Sequence, residues 1–178
     1  MKDLIAILAT AALLAGCANA PDPLAQADRG RLVLNEALTI PPNAATARLQ
    51  YGKVVAFNAV QEHDPFCVFE IDTVAPDPQT VSPASFAIIR VNRSVETFAG
   101  LPAFPGFQTL RVGFGDHDGR PSHLYYKTQF RLHDPGQGVR ALTCMSNQMA
   151  PGIPVMRHLS LAEIRQALGG ILSLELPR

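Results

Sequence analysis

The clearest strand pattern in the sequence lies in HLYYKTQFRLH, His123–His133. One set of alternate positions is mostly apolar (Leu124, Tyr126, Thr128, Phe130 and Leu132), and the other is mostly polar (His123, Tyr125, Lys127, Gln129, Arg131 and His133). Alternation with a period of two over eleven residues is typical of a β-strand that buries one face. Turn-forming runs, GDHDGRPS before it and DPGQG after it, bound the strand on both sides.

Shorter segments outside this strand repeat the same pattern. Further strands are predicted at Thr46–Tyr51, Val54–Val60, Phe66–Val74, Ser85–Asn92, Gln108–Phe114, Val139–Met145 and Ile171–Leu176. Gly52–Lys53 offers the turn of a hairpin between the first two. In Phe66–Val74, the alternation places Cys67, Phe69 and Ile71 on the inward face.

One helix is predicted near the end of the chain. Ser160 stands three residues before Glu163, which is the spacing of a capping box, and Leu159 and Ile164 can close over it as a hydrophobic staple. The apolar spacing then continues over roughly Leu161–Leu168, and Gly169–Gly170 ends it. The sequence therefore predicts a mainly β fold: a small antiparallel sandwich or partly open barrel with one short C-terminal helix.

Composition limits the classes of partner. The chain has 178 residues, 47% of them apolar and 17% charged, which is the composition of one globular domain rather than of a disordered chain. Lys plus Arg equals Asp plus Glu at 15 each, and no basic run is present. The charge pattern that nucleic-acid binding requires is missing, so no nucleic-acid partner is expected.

The first seventeen residues, MKDLIAILATAALLAGC, have the features of an export signal: Lys2, an uncharged apolar stretch and small residues before a cysteine. Leu14, Ala15, Gly16 and Cys17 resemble the lipobox of bacterial lipoproteins. That resemblance implies a signal peptide over 1–16, an acylated Cys17 opening a tether over 17–30, and a single β-rich periplasmic domain over 31–178. Ala18, rather than aspartate, after the cysteine implies sorting to the outer membrane.

A soluble product is the alternative at this end of the chain. Ala18-Asn19-Ala20 imitates the A-x-A site of the ordinary signal peptidase. Pro21 follows immediately, and that enzyme tolerates proline poorly after its cut. The lipid anchor is therefore the favoured prediction, and a permanent transmembrane helix is the weaker interpretation because the apolar stretch is shorter than a bilayer is thick.

Three cysteines are an odd number for an exported chain. If Cys17 is acylated, Cys67 and Cys144 remain, and an oxidising compartment favours a structural disulfide between them. A redox-active pair is disfavoured because the C-x-x-C spacing is missing.

The ten residues FGDHDGRPSH contain the weak metal candidates Asp116, His117, Asp118 and His123. A turn is the preferred interpretation, since Asp118–Gly119 is itself a hairpin signal and the later glutamate of a calcium loop is missing. No catalytic motif such as G-x-S-x-G is present, so neither catalytic residues nor a metal nor another cofactor is predicted.

The apolar segment 98–107 is the candidate interaction loop, through Phe98, Leu101, Phe104 and Phe107. Loops normally avoid this much apolar surface. The segment either completes the core over an open end of the sheet or presents an apolar surface to a partner protein or an acyl chain.

The body of the chain faintly resembles uncharacterised lipoproteins of proteobacteria, through QYGKVV (50–55), the strand bearing Cys67, and VRALTC (139–144) followed by LSLAEIRQALG (159–169). This resemblance implies no activity. The leading hypothesis is a non-enzymatic envelope lipoprotein, a structural or assembly-associated interaction module at the periplasmic face of the outer membrane. The alternative is a lipoprotein that binds a small ligand, a lipid or a metal, and a hydrolase is the third.

Overall fold

The computed structural model describes residues 24, 27–96, 123–134, 136–149 and 156–177. The strands within these residues are β1 Arg31–Leu34, β2 Leu38–Ile40, β3 Thr46–Gln50, β4 Lys53–Val55, β5 Phe66–Ile71, β6 Gln79–Val81, β7 Ala84–Glu96, β8 Tyr125–His133, β9 Val139–Met145 and β10 Leu172–Glu175. Helix α1 spans Leu161–Leu168, and short 3-10 turns span Ala27–Arg29 and Phe57–Ala59.

Eight of the strands form one curled antiparallel sheet, a half-barrel, in the order β10-β1-β7-β8-β9-β5-β3-β4. β2 and β6 pair separately as a two-stranded sheet. The predicted mainly β fold with one short C-terminal helix is confirmed, and of the two predicted architectures the partly open barrel is the observed one.

The core lies on the inner face of the curl. Cys67, Phe69 and Ile71 of β5 all point into it, as the alternation predicts, and each is buried. β8 contributes Phe130 and Leu132 to the same core. This strand pairs with β7 along its whole length and with β9 over Thr128–Arg131, so both of its hydrogen-bonding edges are occupied there. The predicted strand Gln108–Phe114 lies outside the described residues.

Helix α1 covers the open side of the half-barrel. Its buried side chains Ile164, Ala167 and Leu168 join the core, and it contacts β3 and β5 near one end of the sheet order and β10 at the other. The predicted capping box is confirmed: the N–H of Glu163 donates to the Ser160 hydroxyl, and the carboxylate of Glu163 accepts from the N–H of Ser160. The helix therefore joins regions that are far apart in strand order.

The β3–β4 hairpin is present but shorter than predicted. Tyr51 and Gly52 form its turn, and both have positive φ, at 53° and 72°. Two central residues with positive φ are characteristic of the tight turns that suit the twist of a hairpin. β4 ends at Val55 rather than Val60 because the chain then enters the 3-10 turn Phe57–Ala59.

The core includes residues upstream of Arg31, where the sequence places the start of the domain. Leu24 and Ala27 are buried members of the core, and the turn Ala27–Arg29 packs against β7. The Ile88 N–H donates to the Gly30 carbonyl at 3.0 Å, which extends the pairing of β1 with β7 by one position. The ordered fold thus reaches back to Leu24.

Candidate functional site

Most of the predicted site residues lie outside the described residues. These are Cys17 with its lipobox neighbours Leu14, Ala15 and Gly16, the loop residues Phe98, Leu101, Phe104 and Phe107, and the turn residues Asp116, His117 and Asp118. His123, Cys67 and Cys144 lie within the described part of the chain and can be placed.

The predicted pair Cys67–Cys144 is a disulfide in the structure. The two residues are directly opposite one another on β5 and β9, with their Cα atoms 4.0 Å apart, and both are fully buried. Because β5 and β9 are neighbours in the sheet, the bond links strands that the backbone already pairs. Closing a loop across 77 positions stabilises the fold by about 4 kcal/mol in the chain-entropy model.

His123 belongs to a polar cluster at the start of β8, formed with Glu62, Tyr125 and Asn147. Glu62 comes from the segment before β5, and Asn147 follows the end of β9 and bridges to Tyr125. The rings of His123 and Tyr125 stack with their centroids 6.2 Å apart. Three segments that are distant in sequence therefore meet here, and we call this group the Glu62 cluster.

Asn147 orients the cluster. Its side-chain oxygen accepts from the N–H groups of Leu124 (3.2 Å) and Met149 (3.1 Å), which leaves its amide nitrogen facing Nδ1 of His123 at 2.8 Å. An amide nitrogen can only donate, so Nδ1 of His123 accepts and the neutral ring carries its proton on Nε2. The backbone N–H of Asn147 donates in addition to the carbonyl oxygen of Glu62.

Tyr125 is the buried member of the Glu62 cluster. Its hydroxyl donates to the Glu62 carboxylate at 2.6 Å, while Nδ1 of His123 lies 3.6 Å from the same oxygen. Burial and this hydrogen bond raise the pKa of Tyr125 well above its ordinary value. The phenol therefore remains protonated as a donor at physiological pH.

A buried amide holds the neighbouring segment in place. The side chain of Gln50 donates to the Gln61 carbonyl at 2.8 Å and accepts from the Gln61 N–H at 2.9 Å, so it pairs with that backbone as a strand would. The Tyr51 hydroxyl also donates to the carboxylate of Asp64. The segment before β5 is thereby fixed over the outer face of the sheet, where Phe66, Tyr125 and Met145 form a small second core.

The chemistry of the Glu62 cluster is that of a hydrogen-bond network. Within the described residues, the polar side chains that contact His123 are those of Glu62 and Asn147, together with the stacked ring of Tyr125. No group of three or more His, Cys, Asp or Glu side chains in that part of the chain is placed to hold a metal ion. The arrangement fixes the start of β8 against the end of β9 and the preceding segment.

The structure also shows a basic cluster that the sequence prediction missed. Arg90 of β7 and Arg131 of β8 are directly opposite one another, and Nε of Arg140 lies 3.3 Å from the buried carboxylate of Glu70. Burial raises the pKa of Glu70, although the guanidinium groups of Arg140 and Arg131 oppose that rise. The sequence pattern does not reveal this cluster. Register shifts at Ile88/Arg90 and at Glu70/Ile71 interrupt the alternation where β7 pairs with β8 and where β5 pairs with β9.

No protein-family model, no curated protein and no solved structure matches the chain. A membrane-spanning helix is not found among the residues that the structure describes. Function is therefore inferred from the residues and the geometry alone.

Proposed function

We propose that the chain is a lipid-anchored envelope protein, held at the periplasmic face of the outer membrane through an acylated Cys17. Its domain acts as a non-enzymatic interaction module. The observation that carries the proposal is the disulfide between Cys67 and Cys144, which accounts for two of the three cysteines and leaves Cys17 as the third. Disulfides of this buried, structural kind persist in oxidising compartments.

The fold supports a binding role. A curled sheet with a filled inner face, stapled by a disulfide and covered by helix α1, is a rigid platform. Rigid platforms present binding residues on their loops. The apolar segment 98–107, which contains Phe104, is the predicted contact surface for a protein partner.

Photo-crosslinking in the native host tests this function. A crosslinking amino acid replaces Phe104 in one strain and Val74, which is 65% exposed, in a control strain. The proposal predicts that the same partner protein is captured reproducibly at Phe104 and not at Val74. Capture should also be lost in a Cys17→Ala chain, because that chain cannot be acylated.

Two results contradict the proposal. Crosslinks that persist unchanged in the Cys17→Ala chain would show that the anchor plays no part in the interaction. The absence of any crosslink at Phe104, with the full chain present at the membrane, would contradict the interaction role and favour a ligand-binding role instead.

A further inference from the structure

Two arginines face each other on the outer side of the sheet. Arg90 on β7 is the register partner of Arg131 on β8, and the side chains of directly opposed residues lie close together. Like charges in this position destabilise a sheet. Within the described residues, neither guanidinium lies within ion-pair distance of a carboxylate. The buried carboxylate of Glu70 is paired with Arg140 and attracts Arg131 from further away.

A β-bulge sets the direction of Arg90. The register of β7 shifts between Ile88 and Arg90, so that Ile89 is an extra residue relative to β8. Bulges redirect side chains and recur at functional surfaces. Here the bulge places Arg90 on the outer face and leaves Ile89 58% exposed beside it. We call Ile89, Arg90 and Arg131 the β7 surface.

The chain that leads to Cys17 joins the fold next to the β7 surface. Gly30 accepts a hydrogen bond from Ile88, and the turn Ala27–Arg29 packs against β7. Leu24, seven positions after Cys17, is already buried in the core. Seven residues span at most about 25 Å when fully extended, so Cys17 lies within that distance of Leu24.

We propose that the β7 surface docks on the phosphate groups of anionic phospholipids in the membrane that holds the anchor. This inference rests on the proposed function, because acylation of Cys17 is what brings the bilayer within reach. Two adjacent guanidinium groups suit phosphate oxygens, each of which can accept from a planar fork of N–H donors. Ile89 adds an apolar side chain that can enter the interface between head groups and acyl chains.

The turn Ala27–Arg29 carries one acidic and one basic residue, so we assign the electrostatic attraction to anionic lipids to Arg90 and Arg131. Arg29 and Asp28 are both exposed on the turn Ala27–Arg29. Each basic residue close to an anionic surface favours binding about 5-fold, so the pair favours docking about 30-fold. Salt should weaken docking, since Arg90 is exposed and Arg131 is partly exposed.

Reconstituted full chain provides the test. The acylated protein is purified from bacterial membranes and placed in vesicles of phosphatidylcholine, or of equal parts phosphatidylcholine and phosphatidylglycerol. A fluorescent amino acid replaces Asn92, which is exposed on β7, or Phe57, which follows β4 at the other end of the strand order. Quenching by nitroxide-labelled lipid head groups then reports how closely each position approaches the bilayer.

The proposal predicts strong quenching at Asn92 and weak quenching at Phe57, only in vesicles that contain phosphatidylglycerol. The variant Arg90→Gln should shift docking about 5-fold towards the free state, and Arg90→Gln with Arg131→Gln about 30-fold. The matched variant Lys53→Gln removes one exposed positive charge from β4 and should change nothing. Circular dichroism confirms that each variant keeps its fold.

The outcomes separate the two proposals. A chain that does not co-float with vesicles contradicts the anchor and, with it, the docking. A chain that co-floats contradicts the docking alone if Asn92 and Phe57 are quenched equally, if lipid charge has no effect, or if the double variant behaves as the native chain does.

Discussion

Gly52 and Gly169 pack backbone against backbone. A β-carbon on Gly169 would lie 2.3 Å from the Cα of Gly52, and the N–H of Gly52 donates to the carbonyl oxygen of Ala167 at 3.0 Å. The β3–β4 turn is thereby joined to the end of helix α1. This contact closes the half-barrel, because β10 follows the helix directly and lies at the opposite edge of the sheet.

Replacing Gly169 with alanine should destabilise the domain by about 3 kcal/mol or more, since the new methyl group has no space and the backbone has a positive φ of 59°. Gly170→Ala is the matched control, because a β-carbon there meets nothing within 4 Å. Urea denaturation of both variants measures the difference. Equal stability of the two would show that the glycine contact does not hold the fold closed.

Removing the disulfide should lower the free energy of unfolding by about 4 kcal/mol. The native chain and a Cys67→Ala, Cys144→Ala variant are compared in denaturant with and without reductant. The native chain should lose stability on reduction, whereas the variant should be insensitive to reductant. A native chain that is equally stable in both conditions would contradict the structural role of the bond.

Glu163 should make the stability of helix α1 depend on pH. Hydrogen bonds from Arg157, assisted by the Ser160 hydroxyl and N–H, lower the pKa of Glu163 to about 2 in the folded state. The unfolded value is about 4.3, so the contribution is complete above that pH and is lost as the pH falls towards 2. Glu163→Gln should therefore cost about 1 kcal/mol at neutral pH and progressively less below pH 4.

Thermal unfolding of the native chain and the Glu163→Gln variant across this pH range checks that expectation. Ser160→Ala should also destabilise the helix by about 1 kcal/mol through loss of the N-cap. A constant difference between the native chain and Glu163→Gln down to pH 2 would contradict the assigned pKa shift.

The tautomer of His123 is a direct test of the Glu62 cluster. Because Asn147 donates to Nδ1, the neutral imidazole should carry its proton on Nε2. Nitrogen-15 NMR of the histidine rings distinguishes the two tautomers. The preference for the Nε2 tautomer should weaken in Asn147→Ala, and a native ring protonated on Nδ1 would show that the amide does not donate to it.

The sequence predicts an element correctly where the pattern that specifies it lies within the element's own residues. Helix α1 and β9 have the predicted bounds, since a capping box and a run of alternating residues are both local. Short strands such as β2 and β6 were missed because three residues carry no period, and their pairing creates them. The strand order could not be predicted, because it depends on contacts between residues far apart in sequence.

The predicted sites show the same difference between features visible in the sequence and contacts between distant residues. The pairing of Cys67 with Cys144 follows from counting cysteines, once Cys17 is assigned to the anchor. The partners of His123 could not be predicted, because Glu62 and Asn147 are distant in sequence and neither belongs to a motif. The opposed pair Arg90 and Arg131 could not be predicted either, because a bulge breaks the alternation of β7.

Mass spectrometry of the mature N-terminal peptide, purified from host membranes, tests directly whether Cys17 anchors the chain. We expect Cys17 to be the first residue and to carry acyl chains, and an inhibitor of the lipoprotein signal peptidase should leave residues 1–16 attached. A mature chain that begins after Ala20, or one that retains Cys17 without a lipid, would contradict the anchor and the function built on it.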